Sequence, residues 1–351
     1  MKIPLIVEET DPKWILLGQI LNIFDSRPIK QQLARQGMKP VPRAALMLRV
    51  VLVAMFFSQE LSYVLEELTT RRTLRTFVRV PVVPTPSQLY SFLGKFTATQ
   101  VLELVLGVLT TFCPPRQRGR STLLVDSTEI RVDLNWFRKK YTKRALEARE
   151  FQWGYSASKG HYIGYKLTLV VAYPSMKPVC FLLHSGSPSD AKLYDIILQE
   201  LRRRRLARNG DLVVFDKGYF SYANYVKGVA RYKIIPGIFP KVNTPREKIL
   251  DQLAYPLPSY GRDGNPRRRA LYRRLKRGLS RYLEKWKQYK RIRSRIEDFI
   301  KVGKAAFGWG LTHRYTQSSA AKYLAMGVLL TGLVISMGFQ EKPAMQRLSE
   351  W

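Results

Sequence analysis

Three carboxylates stand out in this sequence by their surroundings. Asp126 follows the apolar run Leu123-Leu124-Val125, and Asp216 follows Leu212-Val213-Val214-Phe215. Each run reads as a core strand, so each acid is expected at a strand end, where the sheet holds it rigidly and the adjoining loop leaves room for a substrate. Glu297 lies within a helical stretch. At 3.6 residues per turn, Lys290, Arg293, Lys301 and Lys304 fall within about 40° of it around the axis, beside an apolar stripe of Ile292, Ile296, Ile300 and Phe307. Carboxylates are hard, anionic oxygen donors suited to Mg2+. A converging set can hold two such ions about 4 Å apart, which activate the attacking oxygen of a phosphodiester reaction and stabilise the leaving one. A strand-terminal Asp is also a common turn former, and a charged helix face is often a row of i,i+4 ion pairs. Two strands ending alike, and one acid among four cations, favour the metal–phosphate chemistry. Of the other acids, Asp190 in Ser187-Pro188-Ser189-Asp190 reads as a helix start, where an acid complements the dipole, and is kept as an accessory to the site.

The elements that must position these residues form an α/β domain. Thr122–Val125, Lys166–Ala172, Pro178–Leu183, Asp211–Phe215 and Arg231–Ile235 are β-branched and aliphatic runs, separated by helical segments at Asp190–Arg204 and Ser221–Val229. Three strands, a helix, a strand, a helix and a strand give a mixed sheet in ribonuclease-H-like order, flanked by helices. Ahead of it, residues 1–115 read as all-α, with helical periodicity in Trp14–Phe24, Ala44–Phe57, Leu61–Leu68 and Val101–Phe112. Thr85-Pro86-Ser87-Gln88 opens a further helix, through Phe96, with a capping box and proline in the first turn. This N-terminal domain reads either as a DNA-binding and assembly module or as a plain packing domain. Pro114–Arg120 is a basic, breaker-rich linker. The expected division is 1–115 helical, 116–238 and 289–340 catalytic, 239–288 a basic insertion of helix and loop before the last catalytic helix, and 341–351 a tail.

Charge narrows the partner. The chain of 351 residues has 60 Lys+Arg against 26 Asp+Glu, a formal charge of +34, with 46% hydrophobic residues. So much like charge opposes compaction unless a polyanion neutralises it, and nucleic acid is the polyanion that basic side chains bind by releasing counterions. From Arg262 to Arg295 there are fifteen Lys or Arg against Asp263 and Glu284, interleaved with Tyr272, Tyr282, Trp286 and Tyr289. Such a surface is expected to grip phosphates and stack bases. Two cysteines, Cys113 and Cys180, make no disulfide framework, and three scattered histidines make no zinc site. Glu8 and Glu9 interrupt any secretory signal, so a cytoplasmic, nucleoid-associated setting is expected. Ala320–Phe339 approaches spanning length, near 20 residues, but carries Lys322 and three glycines and follows a basic soluble region. It is read as a buried core helix, not a membrane span.

Asp126, Asp216 and Glu297 resemble the D-D-E triad of prokaryotic insertion-sequence transposases, the group usually called IS-four and IS-five. The third motif of that family reads Tyr, two residues, Arg, three residues, Glu, six residues, Lys. Arg293, Glu297 and Lys304 match its spacing; Tyr289 stands one residue too far from Arg293, with Lys290 in its place. Asp216-Lys217-Gly218-Tyr219 resembles the second-Asp motif of the family. Trp153-Gly154-Tyr155-Ser156 and Gly164-Tyr165-Lys166-Leu167 resemble the stretch leading into its second strand. The resemblance, over roughly residues 40–335, implies a ribonuclease-H-like core and two Mg2+ ions (with Mn2+ as substitute) on Asp126, Asp216 and Glu297. It implies double-stranded DNA partners, namely terminal inverted repeats and target DNA, and a homodimer or larger synaptic assembly. Arg293, Lys304, Lys301, Lys290, Tyr289, Lys217 and Lys166 are then the expected DNA contacts, with Asp190 and Tyr219 as accessories. The expected activity is metal-dependent strand cleavage and strand transfer. The rivals are a nuclease or resolvase on the same fold that only hydrolyses, and a catalytically inactive DNA-binding descendant.

Overall fold

The computed structural model describes residues 4–113, 121–135, 150–156, 160–241, 243–254 and 265–350. The linker Pro114–Arg120 and residues 255–264 of the basic insertion lie outside them. The chain forms two compact units. One comprises Met1–Pro114, Arg131–Glu150 and Phe299–Trp351; the other comprises Pro115–Ile130 and Phe151–Asp298.

The first unit is helical. Its N-terminal part contains α1 (Pro12–Asp25), α2 (Arg27–Arg35), α3 (Val41–Phe56), α4 (Leu61–Thr70), α5 (Arg72–Val78), α6 (Pro86–Gly94) and α7 (Ala98–Phe112). The capping box at Thr85 is present: its hydroxyl accepts from the Gln88 N–H at 3.2 Å, and the Gln88 side-chain Oε1 accepts from the Thr85 N–H at 3.1 Å. α6 ends at Gly94, two residues before the expected Phe96. Arg49, in the apolar α3, is held by Asp25, which also pairs with Arg79, and donates to the Arg79 carbonyl at 2.8 Å. A buried charge is tolerable when it is paired and hydrogen-bonded in this way.

The expected core helix is Gln317–Ser336, later numbered α13. By length and composition it could cross a membrane, yet 72% of its apolar window is buried within the protein. Lys322 bonds to the carbonyls of Leu93 (2.8 Å) and Phe96 (3.1 Å) at the end of α6, and the helix packs along α7 and α3. The buried Trp309 indole donates to Thr331 of this helix at 3.3 Å.

The second unit is built on a sheet. Its strands are β1 (Thr122–Val132), β2 (Gln152–Ser156), β3 (Gly160–Tyr173), β4 (Lys177–Ser185), β5 (Leu212–Phe215) and β6 (Ile235–Ile238). The path runs β2-β3-β1-β5-β6 with β4 also on β3; the two-residue β7 (Leu311–Thr312), which belongs to the first unit, pairs with Arg131 and Val132 of that same unit. β3 is antiparallel to β2 and β4, whereas β1, β5 and β6 are parallel neighbours. This is a ribonuclease-H-like mixed sheet, preceded by an all-α region. Helices α8 (Asp190–Arg203) and α9 (Tyr222–Ala230) link β4 to β5 and β5 to β6. Within the basic stretch lie α10 (Arg246–Asp251), α11 (Pro266–Glu284) and α12 (Trp286–Ala305); α13 (Gln317–Ser336) and α14 (Lys342–Leu348) follow.

Two expectations are corrected here. The last strand is Ile235–Ile238, not Arg231–Ile235. Pro236-Gly237 reads as a breaker, but β6 is the last strand on the path, where a proline removes no needed ladder bond. The aromatics of α11 do not form a stacking platform. Tyr272, Leu275, Leu279, Tyr282 and Leu283 are its buried stripe, packed on β6, α9 and α10. The Tyr282 hydroxyl donates to the Gly237 carbonyl at 2.8 Å, and that of Tyr272 to the Leu253 carbonyl at 3.2 Å. Apolar rings three, four and seven residues apart share one helix face, and here that face covers the sheet edge.

Candidate active site

Strand register brings the first two acids together. Val125 of β1 pairs with Phe215 of β5 in a parallel ladder. Asp126 and Asp216 are the next residues on these two neighbouring strands, which in any sheet run about 4.8 Å apart. Asp126 does not end its strand, as the sequence suggested, because β1 continues to Val132. It sits where the pairing with β5 stops. Asp216 leaves β5 into a single 3-10 turn, Lys217–Tyr219, whose closing bond runs from the Tyr219 N–H to the Asp216 carbonyl at 3.1 Å.

Glu297 comes from α12, which buries Ile296, Phe299 and Ile300 while Ile292 is half-buried. The apolar stripe thus seats the helix and leaves Glu297 facing out. One turn earlier, Arg293 carries a guanidinium that reaches all three carboxylates. It stands 3.6 Å from an Asp126 oxygen and 3.8 Å from an Asp216 oxygen, and it ion-pairs directly with Glu297. Only 17% of the Arg293 side chain is exposed, and its guanidinium lies 5.8 Å from the centre of the Phe239 ring. Helical spacing placed Arg293 beside Glu297; no feature of the sequence placed it between both aspartates.

Burial pushes the Asp126 carboxyl up to about 7, against the pull of Arg293 and of the Ser127 N–H, which donates to one Asp126 oxygen at 2.8 Å; the charges of Glu297 and Asp216 add to the rise. The donor set is all-carboxylate and suits a hard divalent cation. Its present counter-ion is the guanidinium. Among the described residues no three His, Cys, Asp or Glu side chains lie close enough together to hold a metal ion as they stand. The residues fit a metal in chemistry, and the spacing is that of carboxylates around Arg293.

A hydroxyl cluster backs the acids. Ser127 Oγ lies 2.7 Å from the Tyr219 hydroxyl and 3.0 Å from Thr168 Oγ1. Tyr219 is fully buried against Phe215, 5.0 Å between rings, and burial raises its phenol well above the ordinary value. It positions the strands around Asp126. Asp190 opens α8, as expected, and ion-pairs with Lys166 at 2.7 Å. Gly218 runs so close that a Cβ there would lie 2.6 Å from an Asp190 oxygen, so a larger residue in the Lys217-Gly218-Tyr219 turn would displace the Asp190 carboxylate. Lys166 also donates to the Pro188 carbonyl at 2.9 Å and is nearly buried. It is therefore tied to Asp190 in this structure, not presented to solvent.

The remaining expected contacts are spread along the surface. Lys217 is exposed beside Asp216. Lys290 lies over the Trp286 ring at 5.1 Å, and the half-buried Tyr289 packs 4.9 Å from Tyr282. Lys301 is exposed and Lys304 half-buried, further along α12. Reading from the sequence missed Ser127 and Thr168. For Ser127 the available signal was the polar Ser127-Thr128 pair straight after Asp126, inside what proves to be one long strand; for Thr168, on β3, the sequence offers none.

Both cysteines are buried. No curated protein and no solved structure matches the chain. A family model described as the transposase DDE domain matches residues 117–333.

Proposed function

Because this chain belongs to the transposase DDE domain family, whose members act on DNA and generally use divalent metals, we propose that it cuts DNA at the terminal inverted repeats of an insertion sequence and joins the freed 3′ ends to target DNA. The observation that carries this reading is the convergence of Asp126 and Asp216, neighbours by strand register, with Glu297 upon one cation.

In this reading Asp126, Asp216 and Glu297 hold two Mg2+ ions, or Mn2+ in their place. Bound there, the ions supply Lewis-acid activation of the attacking and leaving oxygens. The residues of the chain do the rest. The Ser127 N–H holds one oxygen of the Asp126 carboxylate, and the Tyr219 and Thr168 hydroxyls hold the Ser127 side chain next to it. Arg293, with Lys304, Lys301, Lys290, Lys217 and Tyr289, contacts the DNA around the cut. Arg293 is the bidentate phosphate contact among them, since a guanidinium offers a planar fork and an ammonium only a point charge. No side chain serves as nucleophile. Lys166 and Asp190 act together as a positioning pair beside the Lys217–Tyr219 turn.

The wider surface supports a polyanionic substrate. With its aromatics buried, α11 presents Arg267, Arg274, Arg277 and Arg281 to solvent. They lie within about 80° of arc and span about 21 Å along the helix. The same proposal assigns residues 1–115 to DNA binding and assembly, 116–238 and 289–340 to the catalytic core, 239–288 to the insertion and 341–351 to the tail. It also sets the protein in the cytoplasm at the nucleoid, working as a homodimer or larger synaptic complex without a membrane.

The test is a cleavage and strand-joining assay on DNA carrying the ends that flank the gene. Asp126→Ala, Asp216→Ala and Glu297→Ala should each abolish Mg2+-dependent cutting and joining and leave DNA binding in place. Cutting without joining would identify a nuclease. Binding with no cutting by the parent protein would identify an inactive descendant, and variants that cut as well as the parent would refute the site.

A further inference from the structure

We propose that Arg293 stands in for the metal: its guanidinium gathers the three carboxylates in the metal-free protein, competes with divalent cations for them, and is released towards DNA phosphate when the metal binds. This rests on the reading of Asp126, Asp216 and Glu297 as the metal ligands.

Three features lead to it. The first is reach. One side chain lies within ion-pair distance of all three acids, through one nitrogen for Asp126 and Asp216 and the other for Glu297. A guanidinium has five N–H donors in a fixed plane and can serve several carboxylates at once; an ammonium on the same stem serves fewer with good geometry.

The second is charge. Three carboxylates around one cation remain under-neutralised, in a place where the Asp126 and Arg293 side chains are only 16% and 17% exposed. A divalent ion can neutralise the same oxygens more fully. Guanidinium and metal then occupy the acids in turn, because like charges crowded together at low exposure repel strongly.

The third is constraint. One Asp126 oxygen is already held by the Ser127 N–H, and the oxygen that faces Arg293 is the other one. Both oxygens of the acid are thus already engaged, and a metal that binds through the outward one meets the guanidinium at that same oxygen. Displacement of the guanidinium relieves that competition. The Phe239 ring lies against the guanidinium in this carboxylate-bound position and helps to hold it there. A family-implied phosphate contact thus has a defined place to wait before DNA and metal arrive.

The measurement is a Mn2+ titration of the full chain, without DNA, followed by electron paramagnetic resonance of the free ion. It compares the parent protein with Arg293→Gln and with Arg293→Lys. Arg291→Gln, an exposed residue of the same helix, is the control for bulk charge. Arg293→Gln should bind Mn2+ at least fivefold more tightly than the parent, and Arg293→Lys should lie between them. The metal-free Gln variant should melt below the parent, and Mn2+ should close that gap. The inference is overturned if both Arg293 variants bind Mn2+ no more tightly than the parent, or if Arg291→Gln tightens binding as much. Should the Gln variant fail to fold without metal, the Lys variant decides alone. If no variant and no parent protein binds Mn2+, the metal-site reading itself falls, and this inference with it.

Discussion

Burial pushes the Asp126 carboxyl up to about 7 from an ordinary 3.8, so the folded protein holds a proton there that the unfolded chain has already lost. The sign follows. Folding stability falls as pH rises from the ordinary aspartate range through about 7, and is lowest, on this account, above it. Asp126→Asn keeps an oxygen for the Ser127 N–H and removes the buried charge. In metal-free buffer it should therefore stabilise the protein by about 1–2 kcal/mol at pH 8 and by little at pH 4. Denaturant melts at the two pH values check this, and an equal effect at both would show that charge burial is not the cause. A site that costs stability in this way is a familiar trade against function. Much of the site was legible at this scale. An apolar strand followed by Asp, found twice, located Asp126 and Asp216, and helical spacing linked Arg293 to Glu297. The approach of Arg293 to both aspartates was not legible, because it depends on where α12 lies against the sheet, which no local pattern encodes.

Helices and strands were read well where one chemical signal dominated, and poorly where two competed. The apolar runs of β3, β4 and β5 were plain. β1 was cut short at Asp126 because Asp-Ser-Thr-Glu looks like a turn, though the strand runs on to Val132. β2 carries Trp153 and Tyr155 exposed, so it lacks the apolar face that marks a strand, and two-residue β7 carries almost no signal. Charge masked the core face of α11. Because Tyr282 is a packing residue, Tyr282→Phe should cost about 1 kcal/mol by removing its hydrogen bond to the Gly237 carbonyl, and Tyr282→Ala about 3–5 kcal/mol. Neither should weaken DNA binding in protein that remains folded, and a loss of affinity in folded Tyr282→Phe would restore the stacking reading. In α12, Gly303 is fixed by its neighbour: a Cβ there would lie 1.8 Å from the Trp309 ring. Gly303→Ala should cost about 3 kcal/mol or more by displacing that indole, which thermal unfolding will register. Flat thermal behaviour would mean that Trp309 has somewhere else to go.

For the whole molecule, a formal charge of +34 makes salt the main lever on binding. Replacing Arg267, Arg274, Arg277 and Arg281 one at a time with Gln should lower the slope of log affinity against log salt by roughly 0.9 for each phosphate no longer neutralised. An unchanged slope across all four would place the DNA elsewhere. Composition announced the polyanion, but it could not show how the chain divides. The helical unit takes in Met1–Pro114 together with Phe299–Trp351, so α7 and α13, packed side by side, are separated by the whole sheet in sequence. That arrangement sets a timetable for synthesis. A ribosome adding about 5–20 residues per second finishes α7 and then needs on the order of 10–40 s to reach the end of α13. Throughout that interval the apolar faces of α3 and α7 wait without the helix that completes their core, and a nascent chain in that state is a natural client for chaperones. Copies whose reading frame stops before residue 317 should consequently be cleared by proteolysis and should not accumulate as dominant competitors for DNA.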